Sequence, residues 1–372
     1  MNYTIQLIVL FFVGCNLAFA NQKPLRMLHL TFHQGCAREI EEVAKALGFT
    51  VETWFIQNLP PLFFDGVSQG NVLYNIGHDR ANRVWNLHKS TFEQFDVVMT
   101  SDTAPLARIF LQNDFKKPLI IWICNRFDYS DQASLDCHFP DPEFYQLFQE
   151  ASRRTNVKVV AYNVFEHEYA KRKGIDTGHL TITPCSPQNK QPPDISAIPA
   201  SVNKGETFFL THYTNDAFYH KKCQDLGIPV YQGRYNGAAD LSGFKAIIHF
   251  PYAWSNLAFF ENISLGIPYL IPSVSFLRTL LKNEQYWFTG RGYLVEKGLF
   301  HLSEWYLPGR EEIITYFDSW EDLQRKIHTI DFSSLSHRIK QYAKRYRSTM
   351  LEKWSQVLNE LRDCPQIQIS SF

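Results

Sequence analysis

Short apolar runs that stop at a polar loop and are followed by helical periodicity recur along this chain, and no other feature restricts its fold as strongly. The first is "MLHLTF", residues 27–32, which leads through a His33-Gln-Gly-Cys36 loop into a stretch with Ile40, Val43, Ala44 and Leu47 on one helical face. Gly48 is placed to end that helix, and a second run, residues 50–56, follows. "FDVVMTSD", "PLIIWICNRFD" and "NVKVVAYNVFE" repeat the pattern. Continuous apolar runs of this kind suit parallel strands buried on both faces. Consecutive strand-helix-strand units then make a parallel sheet. Residues 21–183 read as one such α/β domain.

With 372 residues the chain exceeds a single typical core. The proline-rich segment 184–205, "PCSPQNKQPPDISAIPASVNKG", reads as a linker. A second cycle follows over 206–334: strand "TFFLTHY", a helix over 216–226, then strands "IPVYQG" and "KAIIHF". Residues 335–372 read as helices that pack back on the first domain. The expected fold is therefore α/β, two Rossmann-like domains with doubly wound parallel sheets, facing across a cleft. Ligands in such folds bind beyond the carboxyl ends of strands. The candidate positions are the loops at 33–36, 101–103, 125–129, 212–215, 233–236 and 251–256.

Lys plus Arg and Asp plus Glu both number 37, so charge makes no case for nucleic acid as a partner. The basic residues Arg338, Lys340, Lys344, Arg345 and Arg347 read as a solvated helix face, with peripheral membrane contact as the alternative. Residues 5–20 form an uncharged apolar run ending in Ala18-Phe-Ala20, which reads as a signal peptide over 1–20 and predicts export. Beyond Cys15, the cysteines at 36, 124, 137, 185, 223 and 364 permit disulfides but show no zinc spacing, and Cys124 reads as a buried thiol. No G-x-G-x-x-G follows a strand, and no P-loop, H-E-x-x-H or G-x-S-x-G is present. Asn262-Ile-Ser fits a glycosylation site but falls in a buried helix.

One stretch concentrates the chemistry: "HFPYAWSNLAFFENISLGIPYLIPS", residues 249–273. It reads as a strand, a loop, a helix over about 256–265 that is apolar almost all round, a Gly-Ile-Pro turn and a second buried strand. Glu261 lies inside that helix, and a carboxylate there needs a partner or a ligand. Together with the preceding "LGIPVYQGRYNGAADLSGFKAII", the stretch resembles the donor-binding half of glycosyltransferases of the GT-B architecture. That resemblance implies a nucleotide-sugar co-substrate, no other cofactor and no metal. It gives Glu261 the ribose, and Ser255 and Asn256 the diphosphate at a helix N-terminus. Arg234 and Tyr252 join the donor site. Ala253 stands where many retaining members carry a second Glu, and "THYTND" lacks the usual Lys or Arg.

An inverting transfer needs a general base. His33 occupies the place where some inverting relatives keep a catalytic His, with Asp102 to orient it or act as base itself. Asn125, Arg126 and Asp128 form a polar cluster at a strand end suited to an acceptor, which is a carbohydrate, lipid or protein. The alternatives are an exported two-lobed solute-binding protein, an epimerase-like enzyme or an inactive relative of the same architecture.

Overall fold

The computed structural model describes residues 24–59, 76–128, 140–185, 196–211, 216–286 and 298–362. The signal-peptide reading, residues 186–195 of the linker, the loop 212–215 and Cys15, Cys137 and Cys364 lie outside the described residues.

The first sheet is built from β1 (Arg26–Thr31), β2 (Thr50–Phe55), β3 (Val97–Asp102), β4 (Leu119–Ile123) and β5 (Val157–Ala161). The second uses β6 (Phe208–Leu210), β7 (Val230–Tyr231), β8 (Ile247–Ile248), β9 (Tyr269–Pro272) and β10 (Ile314–Phe317). All pairings are parallel, and the orders are β2-β1-β3-β4-β5 and β10-β9-β8-β6-β7. Read from the other edge, the second sheet repeats the strand order of the first. Each sheet reverses direction of growth beside its first strand, and such a switch point opens a crevice at the carboxyl ends of the flanking strands. These are the two doubly wound parallel sheets expected from the sequence.

The apolar runs are buried as parallel strands require: β3 and β4 are buried at every residue. The first helix, α1 (Gln34–Leu47), ends at Gly48, whose φ of 74° is left-handed. Its first turn takes in Gln34, Gly35 and Cys36 rather than leaving them in the loop expected from the sequence; His33 is the N-cap and its side chain accepts from the Gly35 N–H. Helices α2 (His78–Phe92), α3 (Pro142–Ala151) and α4 (Val164–Lys171) complete the first domain. In the second, α5 (Asp216–Asp225), α6 (Leu257–Ser264), α7 (Val274–Lys282) and α8 (Trp320–Thr329) cover the sheet.

The last helix, α9 (Phe332–Arg362), runs unbroken and touches both domains. Trp354 meets Trp122 of β4 edge-on at 5.6 Å, and Lys158 of β5 pairs with Glu360 at 2.7 Å. At its other end Phe332 packs on Phe208 of β6, and midway Tyr346 stacks on Phe260 of α6. Among the described residues no helix is long and apolar enough to cross a membrane.

Candidate functional site

A cavity of about 400 Å³ opens between the domains, lined from the first by the start of α1, Asp102, Cys124, Asn125 and Tyr162 and from the second by Ser255, Asn256, Leu257, Ala258 and Glu261. The strand order explains the meeting. Residues following β1, β3, β4 and β5 supply one wall, and the loop and helix following β8 supply the other. The approach is close: a Cβ on Gly35 would stand 2.6 Å from Leu257 Cδ1 of the other domain, so a larger residue there would have to displace the leucine side chain.

On the first wall a buried hydrogen-bond chain climbs the switch point. His29 Nε2 lies 2.9 Å from Ser101 Oγ, Ser101 donates to Thr31 Oγ1 at 2.7 Å, and Thr31 donates to Asp102 Oδ2 at 3.1 Å. The same Asp102 oxygen accepts from the Phe32 and His33 N–H groups at 2.9 and 2.8 Å. Asp102 itself ends β3 with a left-handed φ of 85°. It therefore orients His33 through the backbone. Burial pushes its carboxyl up, against the opposing pull of His33 and these donors.

The His33 ring lies at the exposed mouth of the cavity, Nδ1 accepting from Gly35 N–H at 3.0 Å. Its pKa is pushed up to about 9, first by the Cys36 side chain, then by the charges of Asp102 and Glu261, with desolvation opposing. Glu261, half-buried and one turn into α6, thus acts electrostatically on a group of the opposite domain. It also adds to the burial that raises the Tyr235 phenol, so an exposed aromatic ring stands near this carboxylate.

The remaining predicted residues divide. Asn125 and Ser255 line the cavity. Asn256 does too, but its Oδ1 caps Ala258 N–H at 2.9 Å, its Nδ2 donates to Tyr252 OH at 2.8 Å, and its own N–H donates to Glu304. Tyr252 acts here as a support for that cap. Arg234 is exposed on the loop after β7 and outside the cavity wall; the cation of the wall is Arg38. Arg126 and Asp128 are not among the residues that line the cavity. Arg126 has a left-handed φ of 57°, its side chain donates to Asn125 Oδ1 at 3.0 Å and its charge acts on buried Glu166. Asp128 is buried among the hydroxyls of Tyr145 and Tyr169, with Lys173 Nζ at 3.7 Å. A carboxylate so committed is structural.

Sequence reasoning passed over Glu304, which is fully buried between the domains. One oxygen accepts from Asn256 N–H at 2.5 Å and the other from Tyr162 OH at 3.0 Å, while Arg310 Nε donates to the Glu304 backbone carbonyl at 3.0 Å. Burial raises its carboxyl to about 8 against the pull of Arg310. It lies in "LSEWY", whose short 3-10 turns carry no periodic signal. Arg38 and Tyr162 were equally silent, one on a polar helix face and the other in an apolar run.

No protein-family model matches the chain, and no curated protein matches it. Solved structures resemble it in layout at low identity. The glycosyltransferase SnogD from Streptomyces nogalater is 11% identical, with 90% of this chain and 100% of that chain covered and a TM-score of 0.46. Arabidopsis thaliana UGT89C1, solved with UDP, is 9% identical over 91% of this chain and 100% of that one, TM-score 0.48. A putative UDP-N-acetylglucosamine 2-epimerase from Listeria monocytogenes is 12% identical over 91% and 96%, TM-score 0.45.

Proposed function

We propose that this protein transfers a sugar from a nucleotide-sugar donor to an acceptor hydroxyl in the interdomain cleft. One observation carries the reading: the N-terminal turns of α1 and α6 converge from opposite domains on a single cavity that also holds His33, Arg38 and Glu261. Two helix N-termini and a cation favour an anionic group of diphosphate type. Because the first donors of α6 are engaged by Asn256 and Glu304, that helix acts chiefly through its field, with Ser255 the nearest hydroxyl. Glu261 is placed to accept from ribose hydroxyls, and Tyr235 beside it offers a ring face to a base.

In the transfer step, His33 removes the proton from the acceptor hydroxyl as that oxygen bonds the anomeric carbon and the sugar–phosphate bond breaks. Charge then grows on the departing diphosphate, where Arg38 and the helix termini stabilise it. Asn125 orients the acceptor from the wall of the first domain. This proposal treats the nucleotide sugar as co-substrate and needs no resident cofactor.

Calorimetric titration with UDP, GDP, ADP and CMP tests the reading. One nucleotide is expected to bind, and Glu261→Ala to weaken it at least tenfold, about 1.4 kcal/mol. Binding of a free sugar with no affinity for any nucleotide would sink the proposal in favour of a two-lobed solute receptor.

A further inference from the structure

The cavity holds a pair of nucleophiles that the proposed transfer does not use. Cys36 sits in the first turn of α1 and Cys124 directly after β4; both are buried, both line the cavity, and both are free thiols. Strand order brings them together, since the Cys124 N–H donates to the backbone carbonyl of Asp102 at 2.8 Å while Cys36 Sγ lies 4.0 Å from the Asp102 carboxylate. We propose that Cys36 and Cys124 form a redox-active dithiol in the cleft wall, closed to a disulfide by small disulfide oxidants and reopened by thiols.

The two sulfurs are unequal in the way such a pair requires. The Cys124 thiol donates to the Trp122 carbonyl at 3.5 Å, and the pKa of Cys36 is lowered first by the neighbouring Cys124 side chain and then by His33, against the effects of burial and Asp102. A position in the first turn of a helix also favours the thiolate. Burial, followed by the Cys36 contact, holds Cys124 well above the ordinary thiol value. Cys36 is thus the attacking sulfur and Cys124 the resolving one. The other described cysteines differ: Cys185 donates to Glu39 at 3.5 Å, and Cys223 is sealed in the core with its pKa pushed up to about 12.

In closing, the Cys36 thiolate attacks one sulfur of the oxidant's disulfide and expels the other as a thiolate. Cys124 then gives up its proton and attacks the Cys36 sulfur, expelling the second oxidant thiolate. The protein loses two electrons and two protons, and the oxidant is reduced to two thiols. The chemistry is independent of nucleotide binding, so it stands or falls separately from the transfer reaction.

Full-length protein equilibrated across glutathione/glutathione disulfide ratios, acid-quenched, alkylated and digested for mass spectrometry tests the proposal. The expected result is a peptide linking Cys36 to Cys124 that dithiothreitol abolishes. Cys124→Ser should trap Cys36 as a glutathione adduct, and Cys36→Ser should leave Cys124 unmodified. Full alkylation of both thiols at every ratio, or linkage of either to another cysteine, would overturn it.

Discussion

At His33 two demands conflict. The proposed general base must be neutral, as the ring also is when Nδ1 accepts from Gly35 N–H, yet Cys36, Asp102 and Glu261 raise its pKa to about 9, so protonation near pH 7 competes with both the cap and the base role. The sign follows directly: below about 9 the base is blocked, and transfer should climb with pH until the ring is free. His33→Ala should abolish transfer with nucleotide affinity nearly intact. In Cys36→Ser the largest cause of the shift is gone, so the ring should titrate closer to 6.5; an NMR midpoint still near 9 would exclude the sulfur as the cause. His33 and Asp102 were legible in sequence because each ends an apolar run. That Asp102 grips backbone N–H groups was not legible, since it depends on β1 and β3 being neighbours.

Among the elements, α6 lines the cleft from the second domain, and its exit is as constrained as its entry. Gly266 has a φ of 76°, and a Cβ there would meet the Ser336 carbonyl oxygen of α9 at 2.8 Å. Gly48 shares the left-handed backbone with open space around it. Gly48→Ala should therefore cost about 1 kcal/mol, and Gly266→Ala clearly more, about 2 kcal/mol or above, in urea unfolding. Equal costs would mean that α9 yields without penalty. The Gly-Ile-Pro turn was legible from the sequence, as were the strand starts and the capped helices. The packing of α9 against the turn was not, because the sequence reads residues 335–372 as packing on the first domain and offers no local signal for a contact with Gly266.

For the molecule as a whole, buried titratable groups set the pH window of stability. Burial lowers His29 and His249 from 6.5 to about 3, so their contribution is present above 6.5 and is lost as pH falls. Burial raises Glu166 and Glu304 from 4.5 to about 7 and 8, and stability falls as pH rises from 4.5 through those values. The two pairs oppose each other between 4.5 and 6.5. Calorimetric Tm should therefore peak in that interval and decline towards pH 8; a maximum above pH 7.5 would contradict these assignments. Repeated apolar runs made two sheets legible, but residues such as Glu304 and Tyr162 acquire meaning only when the domains meet. The reach of α9 also bears on how the chain is made. Trp122 gains its edge-on partner only when Trp354 has been synthesised, and at about 5–20 residues per second the ribosome takes many seconds to get there. The first domain thus waits, with one flank of its sheet uncovered, for a helix encoded far downstream of β4, and during that wait it is a natural client for chaperones.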